Sequence, residues 1–177
     1  MKEQFTLSVF TEDNIGLLNR VTIIFTRRKI NIESIAASES EIKGVHRYTI
    51  VINENEDLVK KVVLQLEKQI EILKAFYHKE DEVVYQEIAL YKLATDSLVS
   101  GGKAERIIRA HHARILSFEK DFAIIEKTGH KHETTLLFDE LSPYGILEFV
   151  RSGRVAISKP MKTLESYITE LEELSKN

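Results

Sequence analysis

The sequence predicts an α+β fold made of two ferredoxin-like β-α-β-β-α-β domains followed by a C-terminal helix. Three observations lead there. Apolar residues change between a period of two and a period near 3.6 in the order strand, helix, strand, strand, helix, strand. The same order recurs after a short charged run, His78-Lys79-Glu80-Asp81-Glu82. At 177 residues the chain suits two small domains, because domains commonly hold about 50–200 residues.

The first domain is expected over residues 1–78. Phe5, Leu7 and Val9 alternate with Thr6 and Ser8, the signature of a half-buried strand. Thr11 to Gly16 reads as a turn, with Asn14 a candidate N-cap. From Ile15 to Arg28 the spacing of Leu17, Val21 and Ile24, with Leu18 and Phe25 beside them, gives a helical stripe. Asn31 to Ser38 and Val45 to Ile52 read as strands joined through Gly44. Val59, Val62, Val63, Leu66 and Ile70 form the face of a second helix, and Ile72 to Tyr77 closes the unit.

The second domain is expected over 83–158. Val83 to Leu93 is its first strand, and Ala104, Ile107, Ile108 and His111 share one helix face. Arg114 to Phe118 and Phe122 to Lys127 form a hairpin, His132 to Leu141 a helix, and Gly145 to Val150 a strand that continues through Val155 and Ile157. Pro160 suits a helix first turn. Met161, Leu164, Ile168 and Leu171 then mark an amphipathic helix over 159–177, which either packs on its own second domain or docks to a partner.

Composition removes several function classes. With 43% hydrophobic and 30% charged residues the chain has enough apolar surface for a core. The net charge of −3 with mixed signs offers no basic stripe for phosphates or an anionic membrane. The absence of cysteine excludes disulfide and thiolate chemistry, and with no apolar run of about 18 residues a cytoplasmic location is expected. RNA binding on this fold needs stacking aromatics on central strands, and the third strand offers only Tyr48.

No residue pattern demands catalysis. His130-Lys131-His132 reads as a solvated loop, since two metal ligands need a third and fourth at suitable spacing. His46, His78, His111 and His112 read as structural. Ser100-Gly101-Gly102-Lys103 lacks the full phosphate-loop pattern and reads as a flexible loop with a serine cap, the alternative being an anion held by backbone N–H groups. Arg151 or His132 would be the residues of a small enzyme in the second domain; the simpler reading of Arg151-Ser152-Gly153 is a solvated turn or a subunit contact. The turn Glu12-Asp13-Asn14-Ile15-Gly16 stands apart because it opens a helix. The N–H groups of Gly16, Leu17 and Leu18 lie where about half a positive charge is concentrated, and a carboxylate suits that place.

These residues carry a family resemblance. Leu7-Ser8-Val9, Glu12 to Gly16, Arg20-Val21, Phe25, Arg28 and above all Asn31-Ile32-Glu33-Ser34 resemble the ACT domain of acetolactate synthase small subunits. Tyr85 to Leu90, Gly145-Ile146-Leu147-Glu148 and Val150-Arg151-Ser152-Gly153 resemble that family's second domain. The resemblance implies a subunit without an active site or cofactor. It would activate a catalytic large subunit that carries thiamine diphosphate, Mg and FAD, and confer feedback inhibition by valine or another branched-chain amino acid. It implies homodimers through side-by-side ACT domains, with the effector between the first-turn region of one chain and the second-strand start of the other. Its carboxylate would meet the N–H groups of Gly16, Leu17 and Leu18, its ammonium group Asp13 and Asn31, with Ile32 lining the side-chain pocket. Asp13 departs from the family, which usually has Asn there. An ACT-type regulator of a different metabolic enzyme is the alternative.

Overall fold

The computed structural model describes residues 2–99 and 102–159, together with 166 and 169. The chain divides into two units, Met1–Val84 with Arg154–Asn177, and Tyr85–Gly153. Apart from residues 159, 166 and 169, the expected C-terminal helix lies outside the described residues, as does the Ser100-Gly101 pair.

In the first unit the order is β1 (Glu3–Glu12), α1 (Leu17–Arg27), β2 (Ile32–Glu39), β3 (Val45–Glu54), α2 (Glu56–Leu66) and β4 (Ile72–Lys79), the β-α-β-β-α-β plan read from the periodicity. The strands form an antiparallel sheet in the order β2-β3-β1-β4. Phe5, Leu7 and Val9 of β1, with Ile50 and Ile52 of β3, meet Val21, Ile24 and Phe25 of α1 and Val59, Val62 and Leu66 of α2 in one core. Burying each such side chain contributes about 1.5–3 kcal/mol. Asn55 caps α2, its side chain accepting from Leu58 N–H at 2.9 Å.

Two expectations fail locally. α1 is not capped by Asn14, whose side chain instead donates to Glu12 at 2.9 Å; Gly16 stands at the cap, in a left-handed conformation. Ile70 lies beyond the end of α2 and is exposed, because the helix stops at Leu66 and the chain turns through Gln69 to enter β4.

The face of the first sheet away from the helices is covered by the chain's own return. Arg154, 3% exposed, donates to Thr6 Oγ1 at 2.9 Å and to Gln4 Oε1 at 2.8 Å on β1. Arg47 on β3 donates to the carbonyl of Ala156 at 2.6 Å and to Ser8 Oγ at 3.2 Å, and lies over the Phe10 ring. Ala156 belongs to β9 (Val155–Ser158).

The second unit repeats the plan with β5 (Val83–Ala94), a short α3 (Thr95–Val99), α4 (Lys103–Ala110), β6 (Arg114–Phe118), β7 (Phe122–Gly129), α5 (Lys131–Leu141) and β8 (Ile146–Arg151). Its strand order, β6-β7-β5-β8, is that of the first sheet. Ala89, Tyr91, Leu93, Ala123 and Ile125 pack against Ala104, Ile108, Leu137 and Leu141. The Tyr91 hydroxyl donates to the carbonyl of Thr134 at 2.6 Å, and burial pushes its pKa up to about 12. β8 and β9 are two strands and not one, because Ser152 caps the end of the ladder. Its N–H donates to Ile88 O at 2.8 Å, and its hydroxyl accepts from Ile88 N–H at 2.9 Å.

Candidate functional site

β1 ends at Glu12, and the chain crosses to α1 in four residues. Gly16 closes this turn at φ +82, a conformation that residues with a Cβ rarely adopt, and no atom stands within 4 Å of where a Cβ would be. The space beside the backbone at the head of α1 is therefore open. Within the turn the Leu17 N–H donates to Asn14 O at 3.3 Å, so of the three expected donors this one already has an acceptor. Gly16 and Leu18 place their N–H groups in the first turn, where helix amides lack intrahelical acceptors.

Side chains of the same stretch point different ways. Leu17 is buried, whereas Leu18 is 43% exposed and Ile15 fully so. Asp13 is exposed; its N–H donates to Gly44 O at 3.1 Å, and its carboxylate stands 3.4 Å from His46 Nε2. The 33-residue separation hides that pairing in the sequence, and His46 alone carried no signal.

Asn31 and Ile32 stand elsewhere. Ile32 pairs with Ile52 and Ile52 with Phe5, so the start of β2 is level with the start of β1. The Asp13-to-Gly16 turn follows the other end of β1, seven residues beyond Phe5, or about 23 Å at roughly 3.3 Å per residue. One chain thus does not bring the two halves of the predicted site together. Ile32 packs against the first core, and the Asn31 amide donates to Glu33 Oε1 at 3.3 Å.

In the second unit His130-Lys131-His132 is not a loop. His130 is the N-cap of α5; its N–H donates to Glu133 Oε2 at 2.6 Å, and its ring stacks on Tyr85 with centroids 4.2 Å apart. The accepted N–H bond lowers the pKa of Glu133, as do Lys127 and the neighbouring histidines. Arg151 donates to Thr135 Oγ1 at 2.8 Å and lies 3.7 Å from the buried Glu87, so it is engaged within its own domain. His111 stands 3.1 Å from Glu140. Among the described residues no three His, Cys, Asp or Glu side chains are grouped to hold a metal ion. None of the described helices is long and apolar enough to cross a membrane. Tyr48 is buried in the first core, which removes the aromatic that an RNA-binding surface would have used.

Residues 7–74 match the family model described as the AHAS small subunit-like ACT domain, and residues 86–160 match that described as the small subunit of acetolactate synthase. Fold and turn thus define an ACT-domain protein with a second domain of the same strand order. The acetolactate synthase small subunit of Mycolicibacterium smegmatis is 35% identical over 154 residues, covering 87% of this chain and 90% of that protein. That of Bacillus subtilis is 35% identical over 164 residues, covering 90% and 91%. The crystal structure of the acetolactate synthase small subunit from Thermotoga maritima superposes with a TM-score of 0.81 at 24% identity, over 90% of this chain and 99% of that one, and shares its fold. The chain belongs to the acetolactate synthase small-subunit family.

Proposed function

We propose that this chain is the non-catalytic regulatory subunit of a cytoplasmic acetolactate synthase, which activates a separate catalytic large subunit and makes it sensitive to a branched-chain amino acid, valine foremost. Thiamine diphosphate, Mg and FAD belong to that partner. The observation that carries the reading is the open, left-handed Gly16 at the head of α1 in a chain of this family. A zwitterionic amino acid suits such a place: its carboxylate meets the amides of Gly16 and Leu18 at the positive end of the helix, and its ammonium group meets Asp13.

The distance between the two halves of the site supports a homodimer. β2 is an edge strand, presenting a row of backbone groups to any second strand. When two copies pair antiparallel along β2 about a two-fold axis, the start of one β2 comes level with the far end of its partner's sheet. Asn31 and Ile32 of one protomer then stand beside the Asp13-to-Gly16 turn of the other, and the effector binds between them.

Regulation is then a coupling free energy of about 1–3 kcal/mol between effector and catalytic partner, felt equally by both. The test mixes the chain with its host's catalytic subunit and measures turnover with and without valine, leucine and isoleucine, repeated with Gly16→Asp and Asn31→Ala. Stimulation by the chain, with inhibition by one amino acid that both substitutions abolish, is expected. Absence of both stimulation and association overturns the reading. Service as the ACT-type regulator of another enzyme is weaker, because the second domain also matches the acetolactate synthase model.

A further inference from the structure

We propose that His46 makes effector recognition pH-sensitive by competing for the carboxylate of Asp13; the inference rests on the effector reading given above. Two contacts tie the turn at the end of β1 to the hairpin between β2 and β3. The Asp13 N–H donates to Gly44 O at 3.1 Å, and His46 Nε2 stands 3.4 Å from Asp13 Oδ1. The first fixes the backbone, and the second places the imidazole beside the carboxylate. His46 is the second residue of β3, opposite Thr11 at the end of β1, so the sheet register itself delivers the imidazole to the turn.

Charge decides what the pair does. With a neutral imidazole, Asp13 keeps a full negative charge to offer the effector's ammonium group. Once His46 is protonated the two form an ion pair, the carboxylate's field is cancelled at close range, and the imidazolium repels an incoming ammonium. Imidazole is the side chain whose charge changes between about pH 5 and 8, whereas the amino acid stays zwitterionic throughout that window. Effector affinity therefore falls as pH falls.

The other charged groups around His46 do not replace this contact. Glu39 faces it in register across β2, and Glu41 and Lys43 lie on the β2–β3 turn. Arg20 on α1 is engaged with Glu71. The His46 side chain is 27% exposed and that of Asp13 61%, so protons and effector both reach the pair from solvent.

Isothermal titration of valine, leucine and isoleucine into the full chain, at about pH 8 and about pH 5.5, tests the inference. For whichever acid binds, affinity should weaken about five-fold at the lower pH, the scale of an exposed ion pair. His46→Gln should bind equally at both, and Asp13→Asn should bind more weakly and keep only the smaller pH dependence that the imidazolium's own repulsion leaves. A pH dependence that persists in His46→Gln overturns the inference. Binding by the unmodified chain that ignores pH overturns it too while leaving the effector site standing. No binding by any of the three acids at either pH overturns both. Circular dichroism at each pH establishes that the variants are folded, and Asp13→Asn carries the test should His46→Gln not fold.

Discussion

Gly16 occupies backbone space that other residues reach only under strain, yet nothing stands where its Cβ would go. Gly16→Ala should therefore cost about 1 kcal/mol through the backbone alone, measured by urea unfolding. The methyl group also occupies the open side of the amides, so the same variant should lose amino-acid inhibition out of proportion to its stability. Glu56 gives a residue-scale prediction of a different kind. Hydrogen bonds from Lys60 and then Lys79 lower its carboxyl from an ordinary 4.5 to about 2. A carboxyl depressed in the folded state contributes stability that is present above its unfolded value and lost as pH falls through its folded one. Glu56→Gln should therefore flatten the fall in melting temperature between pH 4.5 and about 2, read by thermal unfolding at stepped pH. Residue-scale features were the least legible in the sequence. Asp13 and His46, or Arg154 and Thr6, meet only once the strands are in register, and periodicity carries no information about pairs so far apart.

At the scale of elements, α5 depends on the pair formed by its cap and Glu133. A Cβ on Gly129 would stand 2.9 Å from Glu133 Oε2, the atom that accepts the His130 N–H. Gly129→Ala and Glu133→Ala should each cost about 1 kcal/mol. Together they should cost little more than either alone, because both act through one cap, and a double-mutant cycle in urea measures that coupling. Elements with long apolar stripes were legible: α1 buries Leu17, Val21, Ile24 and Phe25 as their spacing requires. α3 was not, since its five residues bury only Leu98 and show no period. β9 reads in the sequence as an extension of β8, because Val155 and Ile157 keep the alternation while the Ser152 hydroxyl, in place of a backbone carbonyl, ends the ladder without disturbing the pattern.

For the whole molecule, the sheet separates by about 23 Å the residues that one small effector would have to touch. On the proposed homodimer self-association is part of sensing, and α1, which leads from β1 to the β2 edge, carries exposed apolar side chains at Leu18 and Ile23. Leu18→Glu should weaken the dimer at least ten-fold in sedimentation equilibrium and remove inhibition, while leaving helix content intact. Such a loss is on the scale of about 1.4 kcal/mol at an interface. Two matching domains are visible from the repeated strand and helix pattern, whereas the proposed division of the site between protomers comes from the family resemblance alone, because a two-fold axis leaves no trace in one chain's periodicity.

The return of Arg154 and β9 to the first unit has a consequence for biosynthesis. A ribosome delivers β1 to β4 early, but Arg154, the side chain that covers Thr6, emerges roughly 70 residues after Val84. At about 5–20 residues per second the nascent sheet waits for several seconds with that face wet. The amino-terminal sheet therefore receives its last covering side chain only after the domain that follows has been translated.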